Sequence, residues 1–192
     1  MKTKSIYTIL LAILFGTNSF SQTPEKEGYL AISAGVDVRN ALVGSEYTSN
    51  KPSLDFLGKF SMVGNNIEVN VGFESFKKIG FNKYTVGVGY HFPLYGRIGN
   101  TVIKTSLIPS IEPTIIDRWG EEWETRKAHF SFFSVGANIA LRWHLTDHIS
   151  SELLLNALPR VDLSVRYPEI HNSVPIVCSV YAMIIYKFHE NP

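Results

Sequence analysis

Three groups of residues have the types and spacing to do chemistry. The first is His129-Phe130-Ser131. A histidine that can take the proton of a serine hydroxyl begins an acyl-transfer site, because it activates an otherwise weak nucleophile. The nearest downstream acid, Asp147, falls in a predicted turn at the opposite end of the strand that carries the pair. Ordinary packing is the competing reading, since three-residue matches arise often by chance. The second group is a set of charges recurring on one face of predicted strands: Asp37, Arg39, Asp55, Lys59, Glu68, Glu74, Lys83, Lys104, Glu112, Arg142 and Glu152. The third is the segment Asp117–Arg126, where Arg118, Trp119, Trp123 and Arg126 combine the side chains favoured as anchors at interfaces. Metal and cofactor chemistry have no comparable support. His144 and His148 are four apart but straddle a predicted turn, and there is no phosphate-cradling glycine loop or zinc-type cysteine cluster. No cofactor and no metal are expected.

These groups need elements to position them, and the N-terminus sets where those elements fold. Lys2 and Lys4 precede an apolar run from Ile6 to Phe15, and a polar stretch then closes on Ser19-Phe20-Ser21. That order is a secretory signal peptide over residues 1–21, with cleavage near Ser21/Gln22. Its apolar core is too short for the roughly 20 residues a membrane helix needs. Residues 22–192 then form one domain. Removing Lys2 and Lys4 from 18 basic residues leaves 16 against 17 acidic ones, a balance that argues against a nucleic-acid partner. The single cysteine, Cys178, excludes an internal disulfide, so stability must come from packing or from lipid. With 45% of the residues hydrophobic and 12% aromatic, yet no long apolar run in the mature chain, membrane strands are allowed and membrane helices are not.

The period of the mature chain is two. From Leu30, the residues Leu30, Ile32, Ala34, Val36 and Val38 alternate with Ala31, Ser33, Gly35, Asp37 and Arg39, which gives a strand one apolar and one polar face. The same alternation marks strands over Ser53–Met62, Asn66–Phe76, Asn82–Phe92, Thr101–Ile116, His129–Leu145, Ile149–Val161 and Val174–Phe188. Pro109 and Pro113 each remove a backbone donor, so a bulge or break is expected in the fifth strand. Eight strands suit a closed antiparallel barrel with both termini on one side.

Connection lengths set the orientation. Val63-Gly64-Asn65 and Thr146-Asp147-His148 are short, Pro93–Asn100 is intermediate, and Asn40–Pro52, Asp117–Ala128 and Asp162–Ser173 are long. Lys77–Phe81 breaks the contrast by being short. Short turns facing the periplasm and longer loops facing outward are the asymmetry of bacterial membrane barrels. The aromatics sort accordingly. Tyr90, Phe92, Trp143, Tyr186 and Phe188 fall at the periplasmic ends, and Phe73, Tyr84 and Phe133 at the outer ends, where rings favour the headgroup level.

With these features the chain resembles the small eight-stranded outer-membrane barrels of the OmpA/OmpX type, all-β and up-and-down, over its whole mature length. The most specific segment is VCSVYAMIIYKF, which resembles the aromatic-ended last strand read by the barrel-insertion machinery. The resemblance implies that Tyr186 and Phe188 serve as the assembly signal. It also implies an outer-membrane monomer of a Gram-negative bacterium surrounded by membrane lipid and lipopolysaccharide. Separately, His129 and Ser131 resemble the catalytic pair of lipid A deacylase barrels, although Phe132-Phe133 replaces that family's Asn-Gly continuation.

Eight strands enclose an interior that side chains just fill, so the charges are expected to form a packed, salt-bridged core, with a narrow pore as the alternative. The leading expectation is a non-enzymatic barrel with a structural, surface-interaction or adhesion role carried by its loops. Trp119 and Trp123 would touch lipopolysaccharide sugars or a partner protein, or pack on themselves at a hairpin tip projecting above the bilayer. Two alternatives stand beside it: a lipid A-modifying enzyme using His129 and Ser131, and a soluble lipocalin-like barrel with an apolar interior. Cys178 is expected to act as a small lipid-facing hydrophobe.

Overall fold

The structure is a computed structural model that describes residues 28–44, 51–77, 80–98, 101–123, 126–166 and 173–189. The signal peptide expected over 1–21 lies outside the described residues. Wherever the sequence alternates, the chain is extended: β1 (Tyr29–Asp37), β2 (Phe56–Gly64), β3 (Ile67–Phe76), β4 (Phe81–Tyr90), β5 (Phe92–Ile98), β6 (Thr101–Trp123), β7 (Arg126–His144), β8 (Ile149–Pro159) and β9 (Ile176–His189). All neighbours are antiparallel. β4 and β5 are two halves of one barrel strand, since both pair with β6 in a single register from Phe81↔Arg118 through Phe92↔Leu107 to Ile98↔Thr101. β1 pairs with β9, and the result is a closed eight-stranded antiparallel barrel.

Closure sorts the side chains. Ile32, Phe60, Val69, Val86, Ile111, Val135, Leu155 and Ile184 are exposed on the outer surface, while Glu68, Lys83, Glu112, Arg142 and Glu152 are buried within. A soluble ligand-binding barrel needs the reverse partition, so the lipocalin-like alternative is overturned. The interior also has an apolar layer, built from Leu57, Ile108, Ala140, Leu154, Tyr181 and Met183. A second apolar cluster, Phe76, Phe81, Ile116 and Leu158 with Phe132 against it, fills the end away from the chain termini.

The structure differs from expectation in four places. At the terminus end, β2 and β3 are joined through Asn65 and Asn66, both at positive φ, the conformation a tight hairpin needs to match strand twist. There, too, the segment expected as the connection Pro93–Asn100 is largely strand: the β5–β6 ladder runs beyond Tyr90, where β3 ends its pairing with β4, and so projects past the barrel. In β6, the prolines do not break the strand. Its ladder to β7 keeps one register from Thr105 to Arg118, and the shift falls between Arg118 and Glu121. The ladder to β4 skips the positions between Thr85↔Thr114 and Val88↔Ile111, opposite Pro113. Finally, β1 stops at Asp37, whose carboxylate accepts from the Asn40 N–H at 2.8 Å and caps the helical turn Val38–Leu42.

Candidate functional site

Inside the barrel, chemistry begins with Arg142 on β7. Its Nη2 lies 2.7 Å from the Glu152 carboxylate on β8 and its Nη1 lies 3.0 Å from that of Glu68 on β3. Nη1 also donates to the Tyr29 hydroxyl at 3.2 Å. Glu68 accepts from Ser61 Oγ at 2.9 Å and faces His91 Nε2 at 2.8 Å. The arginine thus ties β7, β8, β3 and β1 across the interior, and the forked guanidinium supplies donors in several directions at once. Two further ion pairs, Lys59 with Glu112 and Lys83 with Glu74, stand closer to the other end, and Asp55 and Asp37 are buried beside that end. The space left between Lys59, Glu68, Asn70 and Arg142 is about 10 Å³, room for about one water.

The end away from the termini is held by Asp162, in the helical turn Val161–Arg166. Both its oxygens accept from Arg160 at 2.7 Å, and Arg118 stands 3.8 Å away. The Arg160 guanidinium also lies over the Phe81 ring at 4.5 Å.

Outside the barrel, the two strands flanking the long hairpin bring together a cluster the sequence did not assemble. Asp117 of β6 faces Ser131 of β7 across the ladder. Ser131 Oγ donates to Asp117 Oδ1 at 2.6 Å, and His129 Nε2 lies 2.9 Å from Asp117 Oδ2. Serine and histidine therefore bond the same carboxylate. An acyl-transfer relay needs the imidazole between the other two, taking the serine proton; here that proton is directed at the carboxylate. The acid is Asp117, where the sequence reading had reached only Asp147.

Several expected positions are corrected. Arg39 is exposed on the Val38–Leu42 turn, because capping by Asp37 ends the strand alternation before it. Lys104 is exposed on the projecting part of β6, so it is not an interior charge. Arg118 is buried and faces inward, because strand pairing extends through the segment expected to be a loop. Trp119 is half-buried on the outward side. Trp123 and Arg126 face each other at the tip of the β6–β7 hairpin, and their side chains lie outside the described part of the structure. Tyr186 and Phe188 are exposed on β9, edge to face at 5.3 Å, with Tyr186 stacked on His148.

No protein-family model matches this chain, and no curated protein matches it by sequence. Several solved structures are similar, three of them as follows. The N-terminal β-barrel domain of Pseudomonas aeruginosa OprF aligns at 8% identity over 85% of this chain and 98% of that one, with a TM-score of 0.57. The fold is that of the small eight-stranded outer-membrane barrels. Neisserial surface protein A aligns at 11% identity over 85% and 98% of the two chains, TM-score 0.43. Ail of Yersinia pestis aligns at 13% over 85% and 99%, TM-score 0.36. The likeness to the OprF barrel is one of fold, and no residue role passes across at that identity.

Within this barrel, most residues that sequence reasoning missed share a cause. Tyr29, at the start of β1, meets Arg142, and Asp162 and Arg160 follow β8. Each is at or just beyond a strand end, where alternation gives no facing signal. His91 keeps the polar parity of the strand expected over Asn82–Phe92, and only its meeting with Glu68 waited on the tertiary structure. For Asp117 the hairpin alone would mislead: the Trp123↔Arg126 pairing counts back to 117 opposite 132, and it is the register shift between Arg118 and Glu121 that brings Asp117 opposite Ser131.

Proposed function

We propose that the chain is exported with loss of residues 1–21 and spans the outer membrane of a Gram-negative bacterium as a barrel with a surface-structural or adhesive role. One observation carries the reading: apolar side chains cover the outer wall and charged ones the inner. Phe133, Ile184, Ile111, Val88 and Ile139 are each more than half exposed. An outward band of that kind has its natural solvent in hydrocarbon, because water-soluble monomers rarely show contiguous apolar patches beyond a few hundred Å². No helix among the described residues is long and apolar enough to cross a membrane, so any crossing by those residues is by strands. The Arg142 and Lys59 ion pairs and the small residual cavity support a filled interior. Specificity then belongs to the end away from the termini, where the β6–β7 hairpin is longest. Tyr186 and Phe188, at the end of β9, are the proposed contacts of the insertion machinery.

Spin labels placed separately at Val135 and Ser134 test the reading. A lipid-phase quencher should reach the label at Val135 and not that at Ser134. Recovery in the outer-membrane fraction, with migration that changes on heating, should accompany it. A protein that stays soluble after export sinks the proposal.

A second reading rests on Asp117, which adds a carboxylate to His129 and Ser131. Its support is the placement of all three on the outer wall; its difficulty is that the serine bonds the acid and not the imidazole. Lipid A acylation compared with and without the protein decides it.

A further inference from the structure

Four outward residues in consecutive cross-strand register, Ser75 of β3, Asn82 of β4, Asp117 of β6 and Ser131 of β7, form a polar row at the end away from the termini. One step toward mid-barrel the same strands present Phe73, Tyr84, Ile115 and Phe133, all exposed. The wall therefore changes from apolar to hydrogen-bonding within one pleat repeat, which is where a membrane's acyl chains give way to headgroups.

Across this change lies a groove of about 640 Å³. Leu54, Phe56, Phe73 and Trp119 line it with apolar surface, and Ser53, Asn82 and Lys77 contribute polar groups. The volume falls within the ~300–1,000 Å³ of sites that hold small ligands. Two of its atoms have unmet needs: Ser53 Oγ and Asn82 Oδ1 are buried without a hydrogen-bond partner among the described residues. Buried oxygens of this kind cost free energy unless something bonds them. Asn82 Oδ1 can only accept, so its partner must carry an O–H or N–H, and a neutral hydroxyl or amide suits it better than an ammonium, which would stand in the same groove as the Lys77 charge. Lys77 is exposed at the groove and supplies positive charge. The neighbouring Asp117 has both oxygens engaged by Ser131 and His129.

We infer that this groove holds one phosphorylated, acylated sugar lipid of the surrounding leaflet. An acyl chain lies along Phe73 and Phe56, the sugar rings lie against Leu54 and Trp119 with hydroxyl or amide groups meeting Ser53 and Asn82, and a phosphate meets Lys77. A phosphatidylcholine headgroup offers a phosphate but no donor for Asn82. The inference rests on the membrane-spanning reading above, because only then is the groove bathed in lipid.

Native mass spectrometry of the mature chain refolded in detergent tests it, with bisphosphorylated lipid A, phosphatidylethanolamine and phosphatidylcholine offered at equal concentration. One lipid A should be retained under activation that strips the other two. Lys77→Ala should lower the retained fraction about tenfold, as expected for loss of a charge-assisted contact. Asn82→Ala and Leu54→Ala should lower it too, while Val135→Ala, remote from the groove, should not. Heat-modifiable migration confirms that each variant has folded. Equal retention of the three lipids, or no effect of Lys77→Ala in a folded variant, overturns the inference. Quenching of a label at Val135 separates the two failures: quenching without lipid A retention removes the groove alone, and absent quenching removes the membrane reading beneath it.

Discussion

Arg142 Nη1 lies 3.0 Å from the Glu68 carboxylate, joining β7 to β3 straight through the barrel. Neither residue is on a strand that pairs with the other's, so the bond reports the closed interior and not a ladder. With Glu152 on its other side, the arginine is shared by two buried carboxylates, one of which also faces His91.

Arg142→Met should therefore be severely destabilising, since it leaves Glu68 and Glu152 buried without their counter-charge. Removing one partner of a buried pair costs about 3–5 kcal/mol. Urea unfolding of the refolded protein in detergent, followed by heat-modifiable migration, measures it. Arg142→Met combined with Glu68→Gln and Glu152→Gln should recover part of the loss.

Val135→Arg places a charge on the outward wall opposite Pro113. For a site near the middle of the hydrocarbon the cost is about 2–4 kcal/mol, falling toward the interfaces. The same substitution at His148, in the exposed turn at the terminus end, should shift the unfolding midpoint far less.

Gly35 faces inward on β1, and a Cβ there would collide with the backbone carbonyl of Ala182 and with Met183 on β9. Backbone cannot yield as a side chain can. Gly35→Val should weaken the β1–β9 seam by about 1–3 kcal/mol, the usual range for overpacking. Hydrogen exchange should show the loss of protection concentrated on β1 and β9.

Ser131→Ala and Asp117→Asn alter an exposed cluster and should leave stability within about 0.5 kcal/mol, as surface substitutions do. Under the structural and adhesive reading, the lipid A acylation pattern of cells carrying either variant matches that of wild type. A change abolished by Ser131→Ala would instead establish acyl transfer at this cluster.

Alternation made the strands and their facing legible before any coordinates. Phe133, Val135, Ile139 and Trp143 declared one side of β7, and Ser134, Asn138 and Arg142 the other. The readings that failed sit where alternation stops carrying information. Arg39 continued the period of β1 on paper, but Asp37 preferred to cap a helical turn. Lys104 kept the parity of an interior residue, yet the hairpin bearing it runs past the barrel. Arg118 was read as part of a loop, although pairing of β6 with β7 continues beyond it and turns it inward.

By itself, then, the sequence determined the period and the two faces of each strand. Those follow from local geometry: successive side chains on an extended chain must point opposite ways, whatever the rest of the molecule does. Which charges meet was decided only by tertiary structure. Pairing Arg142 with Glu68, 74 positions earlier, depends on the barrel closing and on the register of every ladder around it. Asp117 reaches Ser131 and His129 for the same reason, because cross-strand contact is set by where a hairpin turns and not by residue type.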